Sequence, residues 1–436
     1  MPKKLLIYIG TFVASIALLW IALVLTSLIP NEAIRTNMEK SAEYYNGIDP
    51  FYQKSGRNSV ADNYADVILL NVLWNIRSSD PFVSSLDTKY YDGNDGTTDY
   101  GENYGFYAAL NGAEPNTGYS RYWHGSVVFI RPLMLMTDVN GAKLIGFLAA
   151  LLLLILDCAL LIRKKQHFAA AALPISFICV QMWNMRLALE YQPVVLICLT
   201  ITAVFIQLEN RSDTALCTAS IISGAMTAFF DFLTAETLTI LIPLIIVMII
   251  RKENGSFRGF RSELFTSLKC GMAWLFSYIG TFIVKWTAAS IVTGENKFTA
   301  AISSAEVRIY GETDNIPAPL RMLLAPLANI SAMFGGSERV SPVNIIVGLL
   351  LTIMLFGGLY LIMRSGISSN GFAQLMLTAG LLPYLRYIVL SNHSYLHDFF
   401  TYRAQAASVL ALIAAFWYCT AGHSNKKAAA KKGKRR

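Results

Sequence analysis

Apolar runs alternate along the chain with short polar breaks and two long polar loops. Each run approaches the roughly 20 residues that a helix needs to cross a bilayer. Ten spans follow from the pattern, at 5–29, 141–162, 168–184, 192–208, 214–231, 237–250, 270–291, 343–363, 371–390 and 404–421. The first run is too long, and lacks the small-residue cleavage site, to be a signal peptide. The predicted organisation is a first transmembrane helix over 1–29 and an extracytoplasmic loop over 30–138 that carries interfacial helices. The remaining spans fill 139–421, with a second outer loop at 293–341, and a basic tail occupies 422–436. The fold class expected is an all-α integral membrane protein.

Composition agrees. Hydrophobic residues make up 54% of the 436 and charged residues only 15%, against about 25% charged in an ordinary soluble domain. The net charge of +8 would suggest nucleic acid in a soluble chain. Here the basic residues sit at the ends of apolar runs and in the tail from Lys426 to Arg436, which has no aromatics to stack on bases. They read as topology signal and as attraction to anionic lipids, not as a nucleic-acid surface. The six cysteines fall in or beside apolar segments, so neither a disulfide framework nor a Cys-x-x-Cys metal site is expected.

With a cytoplasmic N-terminus, the inner side receives MPKK, RKK, RKENGSFRGFR, MRSG and the basic tail. The outer side receives both long loops, NMRLALEYQ, DFLTAE and NHSYLHDFFTYR. Basic residues thus concentrate inside, and an even span count returns both termini to the cytoplasm.

Candidate chemistry gathers on the outer face. In ADNYADVILLNVLWNI, Asp62 and Asp66 stand four apart, on one side of a helix. That helix is expected to lie on the membrane surface with Trp74 at headgroup level. The acids either cap it or serve as general base or metal ligand. In YSRYWHGSVVFIRPL, Arg121, His124 and Arg131 match phosphate oxygens, while Trp123 reads as a headgroup anchor. The Gly- and Asp-rich 91–101 stretch lacks the twelfth-position glutamate of a calcium loop and reads as a solvated loop. Asp231 in FFDFLTAE is costly inside an apolar helix unless it faces a cavity or a partner. Lys285 is expected to snorkel to headgroups, Asp157 to pair with Arg163-Lys164-Lys165, and Arg321 to mark a short surface helix between prolines.

The segment NHSYLHDFFTYR places His393 and His397 at i, i+4, the spacing of two imidazoles on one metal, but without the glutamate of HExxH. Its alternative is a phosphate- and sugar-binding wall in which Arg386 and Arg403 meet phosphate oxygens and the histidines and Tyr402 hydrogen-bond the ligand.

The architecture, with ADNYAD, FFDFLTAE, Arg386 and Arg403, resembles the GT-C superfamily of membrane glycosyltransferases. ADNYAD and YSRYWHGSVVFIRPL are also similar to stretches of multi-pass proteins of Gram-positive bacteria. The GT-C resemblance implies a polyprenyl-phosphate sugar donor and a glycan, lipid or protein acceptor outside the cytoplasm, in the bacterial cell envelope. It implies an acidic base in the first loop, arginines on the lipid-phosphate leaving group and inversion at the anomeric carbon. It leaves a divalent metal open, since subfamilies differ. The family's acid often lies nearer the first helix, so Glu32 and Asp49 compete with Asp62 and Asp66. A polysaccharide polymerase or ligase and a lipid-linked glycan flippase are the rival readings. The sequence carries no clear internal repeat of the kind many transporters show.

Overall fold

A computed structural model describes residues 3–94, 101–311, 316–339, 346 and 371–433. Among these, seven helices are long and apolar enough to cross a membrane. They are α1 (Lys3–Ser27), α7 (Val139–Arg163), α9 (Gln192–Leu208, with the preceding turn from Leu189), α10 (Asp213–Phe230), α12 (Phe260–Thr293), α15 (Gly371–Val389) and the segment Asp398–Cys419 that opens α18 (Gln405–Gly433). The fold is that of an all-helical, membrane-embedded protein. Two expected spans are shorter: α8 (His167–Cys179) has 13 residues and α11 (Leu238–Glu253) has 16. The expected span at 343–363 and much of the Gly- and Asp-rich stretch lie outside the described residues.

α11 forms the axis of the bundle. Every residue from Leu238 to Arg251 is buried, as expected for a helix that is apolar on all sides. α9, α10, α12, α15 and α18 pack around it. α10 and α12 approach closely at Gly224, where a Cβ would stand 2.3 Å from the Trp274 carbonyl oxygen; small residues allow such contacts between membrane helices. α1 and α7 lie at the edge, only 11% and 17% buried, and leave their apolar faces to lipid.

The 30–138 segment folds into a cap of short helices: α2 (Asn31–Tyr45), α3 (Asn63–Trp74), α4 (Pro81–Leu86), α5 (Gly101–Leu110) and α6 (Val127–Leu133). The antiparallel pair β1 (Phe51–Gln53) and β2 (Val60–Asp62) sets Phe51 opposite Asp62 and leads directly into α3. α3 is not a surface helix. Residues Val67 to Trp74 are all buried, and Trp74 Nε1 donates to Ala109 O inside the protein. Its sequence is apolar around the full circumference, so no membrane-facing stripe exists to lie on headgroups.

Three basic residues are structural in the same way. Arg131 is fully buried and donates to the carbonyls of Ile29 and Leu73 and to Asn31, which fastens the cap to the end of α1. It is therefore no phosphate ligand. Lys285 does not snorkel: its ammonium donates to Ser85 O and Leu86 O at 3.0 and 2.9 Å, above the Trp123 ring. Arg321 is buried within α14 (Ala318–Met333) and so marks no surface helix. Asp157 is buried without a hydrogen-bond partner for its carboxylate, and Lys164 pairs instead with Glu209, so the expected pairing with the basic cluster does not form.

Candidate functional site

Two neighbouring clusters occupy the same end of the bundle. The first surrounds the N-terminus of α3. Asp62 caps that helix by accepting from Ala65 N at 2.9 Å. Asp66 is fully engaged, with Lys143 Nζ of α7 at 2.5 Å, Tyr45 Oη donating at 2.9 Å and Leu189 N donating at 2.6 Å. A carboxylate so paired is a tie between α2, α3, α7 and the start of α9, and is poorly suited to accept a substrate proton. Asp62 has no such cation. Its hydrogen-bonding neighbour is Glu190. Burial pushes the Asp62 carboxyl up to about 6, against the opposing effect of the Glu190 and Ala65 hydrogen bonds. Tyr191, next to Glu190, donates to Val60 O. Arg403 lies over the Tyr191 ring at 4.2 Å, and its guanidinium has no hydrogen bond among the described residues.

The second cluster edges a groove of about 910 Å³ between α11, α12 and α15. Its body is apolar, with Ile240, Leu244 and Met248 on one wall, Leu268, Leu275 and Ile279 on a second, and Met376, Ala379 and Leu382 on a third. Its polar end gathers Arg121, Tyr122, Glu236, Arg308 and Arg386. α13 (Lys297–Tyr310), in the second loop, supplies Arg308, which donates to the Tyr122 hydroxyl and to Ser304. Arg121 stacks on Tyr119 at 4.4 Å. The Nε atoms of Arg121 and Arg308 have no partner among the described residues. Arg386 differs: it forms a bidentate pair with Glu236 at 2.9 and 3.0 Å and also donates to Leu233 O and Ser394. Its donors are already committed.

The loop after α10 connects the clusters. Asp231 accepts from Thr234 N and its hydroxyl. Burial first, and then the Glu236 charge, push its carboxyl up to about 7. Leu233 lines the groove and accepts from both Arg386 and His393. His393 touches Phe400, which touches Tyr191, so contacts run unbroken from the acids to the groove.

NHSYLHDFFTYR folds into α16 (Ser391–Leu396), α17 (Asp398–Thr401) and a 3-10 turn, and is buried along most of its length. The His393 and His397 rings lie 4.7 Å apart, but no group of three or more metal-ligating side chains occurs among the described residues. Burial holds His397 down at about 3 and His393 well below the usual imidazole range. His124, also near 3 through burial, is packed against Phe232 and bonded to Tyr119 O. All three are therefore neutral at physiological pH. Tyr402 donates to Asn58 O, and Asp398 pairs with Arg57 of the first loop, so both act as fasteners between loops. Glu32 pairs with Arg35, and Asp49 caps the turn at Phe51.

Sequence reasoning missed Glu190, Lys143, Glu236, Tyr122 and Arg308 as site residues. The available signal for Glu190 and Tyr191 was their place in NMRLALEYQ, an outer segment between two spans that carries a carboxylate beside apolar helices.

Fold and site together define a polytopic helical membrane protein with an apolar groove that ends among arginines beside a buried acid cluster. Compared with known proteins, the chain matches no family model, no curated protein and no solved structure.

Proposed function

We propose that the chain is a membrane glycosyltransferase that moves a sugar from a polyprenyl-phosphate donor to a glycan, lipid or protein acceptor outside the cytoplasm. Both termini are cytoplasmic in this reading and the clusters face outward, in keeping with the basic flanks. The observation that carries the proposal is the groove. An apolar channel along the span, ended by two arginines with unused donors, suits a long hydrocarbon chain with a phosphate head. The lipid enters sideways from the bilayer, and its phosphate rests against Arg121 and Arg308.

Asp62 acts as general base. It takes the proton of the acceptor hydroxyl as that oxygen attacks the anomeric carbon. The bond from that carbon to the phosphate oxygen breaks, and the lipid phosphate leaves with the electron pair. Arg121 and Arg308 stabilise the charge that develops on it. A carboxyl that titrates near 6 is mostly ionised at neutral pH and still basic enough for this task. Attack opposite the leaving group inverts the anomeric centre.

The test is transfer from a radiolabelled polyprenyl-phosphate sugar by the full chain in nanodiscs. Wild type is expected to transfer, with Asp62→Asn slower by about 10²–10⁴-fold. Equal transfer by Asp62→Asn would remove Asp62 as the base. Movement of intact donor across the bilayer without transfer would favour the flippase.

A further inference from the structure

Glu190 is placed against Asp62 by its neighbours on both sides. Leu189 N donates to Asp66 Oδ1 at 2.6 Å, and the Tyr191 hydroxyl donates to Val60 O at 3.2 Å. The backbone of this 3-10 turn is thereby fixed to β2 and the first turn of α3. Asp62 lies at their junction, and the two carboxyls hydrogen-bond each other. Asp62 is 3% exposed and Glu190 8%, while Glu190 Oε1 has no other partner. Two carboxylates cannot hydrogen-bond without a proton, because each is then acceptor only. The one nearby ammonium, Lys143, is already occupied by Asp66 at 2.5 Å.

We infer that Asp62 and Glu190 share one proton, and that Glu190, as the neutral donor, is a positioning residue that keeps Asp62 as the carboxylate. The inference rests on the proposed function only in taking Asp62 as the base; the shared proton does not depend on it. The acceptor's proton goes to Asp62 while Glu190 retains its own, so the pair carries two protons until one is released to solvent.

The charged and titratable groups facing the pair come from every element around it. They are Asp66 and Tyr64 of α3, Lys143 of α7, Tyr191 of the 3-10 turn, Asp231 after α10 and Arg403 of the last outer segment. Asp66 and Asp231 disfavour a second negative charge at the pair. Lys143 and Arg403 oppose them, with Lys143 largely cancelled by Asp66.

The test compares Glu190→Gln, which keeps a neutral donor, with Glu190→Ala, which removes it, in the full chain. In the pH profile of transfer, Glu190→Ala is expected to move the acid limb up by about one unit, because Asp62 loses a hydrogen bond to its charged form. Glu190→Gln should leave that limb in place. A limb displaced equally by both variants, or by neither, overturns the inference.

Infrared difference spectra decide the question independently of transfer. At pH 7, Glu190→Gln should remove the carbonyl stretch of a protonated carboxyl, and Asp62→Asn should shift that band. Loss of carboxylate bands in Glu190→Gln would show an ionised Glu190 and end the proposal, whether or not wild type transfers sugar. The glycosyl-transfer reading, in contrast, fails only through the transfer assay.

Discussion

Two clusters of charge sit side by side at one end of this bundle, and they handle burial in opposite ways. Around the N-terminus of α3, Asp66 is closed off by Lys143, Tyr45 and a backbone N–H, and even Asp62 is only 3% exposed. At the groove end, Arg121 and Arg308 keep unused donors beside an apolar channel of about 910 Å³. A satisfied buried ion holds a fold together. An unsatisfied one at the end of a cavity is costly unless a ligand completes it. The same contrast recurs within each cluster. Asp66 is tied where Asp62 has a proton-sharing neighbour, and Arg386 is tied to Glu236 where Arg121 and Arg308 are not.

The strongest challenge to this division lies in ADNYAD. Asp62→Asn should cut transfer by about 10²–10⁴-fold with a modest loss of stability from the weakened cap. Asp66→Asn should chiefly weaken the fold, by about 3–5 kcal/mol, since it leaves Lys143 buried and unpaired. Thermal unfolding in detergent alongside the transfer assay separates the two, and a reversed pattern would exchange their roles. At the groove end, Arg121→Ala and Arg308→Ala should each raise the KM for the lipid donor by about 10–100-fold, as expected for loss of a charge-assisted contact. Arg386→Ala should instead lower the melting temperature.

Asp62 must be ionised to accept a proton, so the rate should fall about tenfold per unit as pH drops below about 6. The histidines give the smallest effect. Because burial keeps His393 and His397 neutral, glutamine at either position should leave the acid limb where it is. Movement of that limb in either histidine variant would assign the titration to an imidazole.

The membrane spans were legible because length and hydropathy are local properties, and α1, α7 and α10 fall close to the ranges read from the sequence. The circumference of α3 was equally readable: VILLNVLW offers no polar face, which marks burial inside protein more than rest on a membrane surface. The pairings were not legible. Asp66 meets Lys143 across the cap–bundle boundary, and Arg386 meets Glu236 from a helix 150 residues away, so which charges are cancelled is a tertiary fact. The groove is hidden for the same reason, since three distant helices line it with side chains that resemble any others in a span. In NHSYLHDFFTYR the polar residues were visible, but their use as fasteners to Asn58, Arg57 and Asn329 was not.

The most direct measurement is photo-crosslinking of the full chain in nanodiscs with a diazirine-bearing polyprenyl phosphate, followed by peptide mapping. The account predicts adducts on the groove faces of α11, α12 and α15, competed by unlabelled polyprenyl phosphate and reduced in Arg121→Ala/Arg308→Ala. Adducts confined to the lipid-facing surfaces of α1 and α7, unaffected by competitor or by the arginine changes, would contradict it.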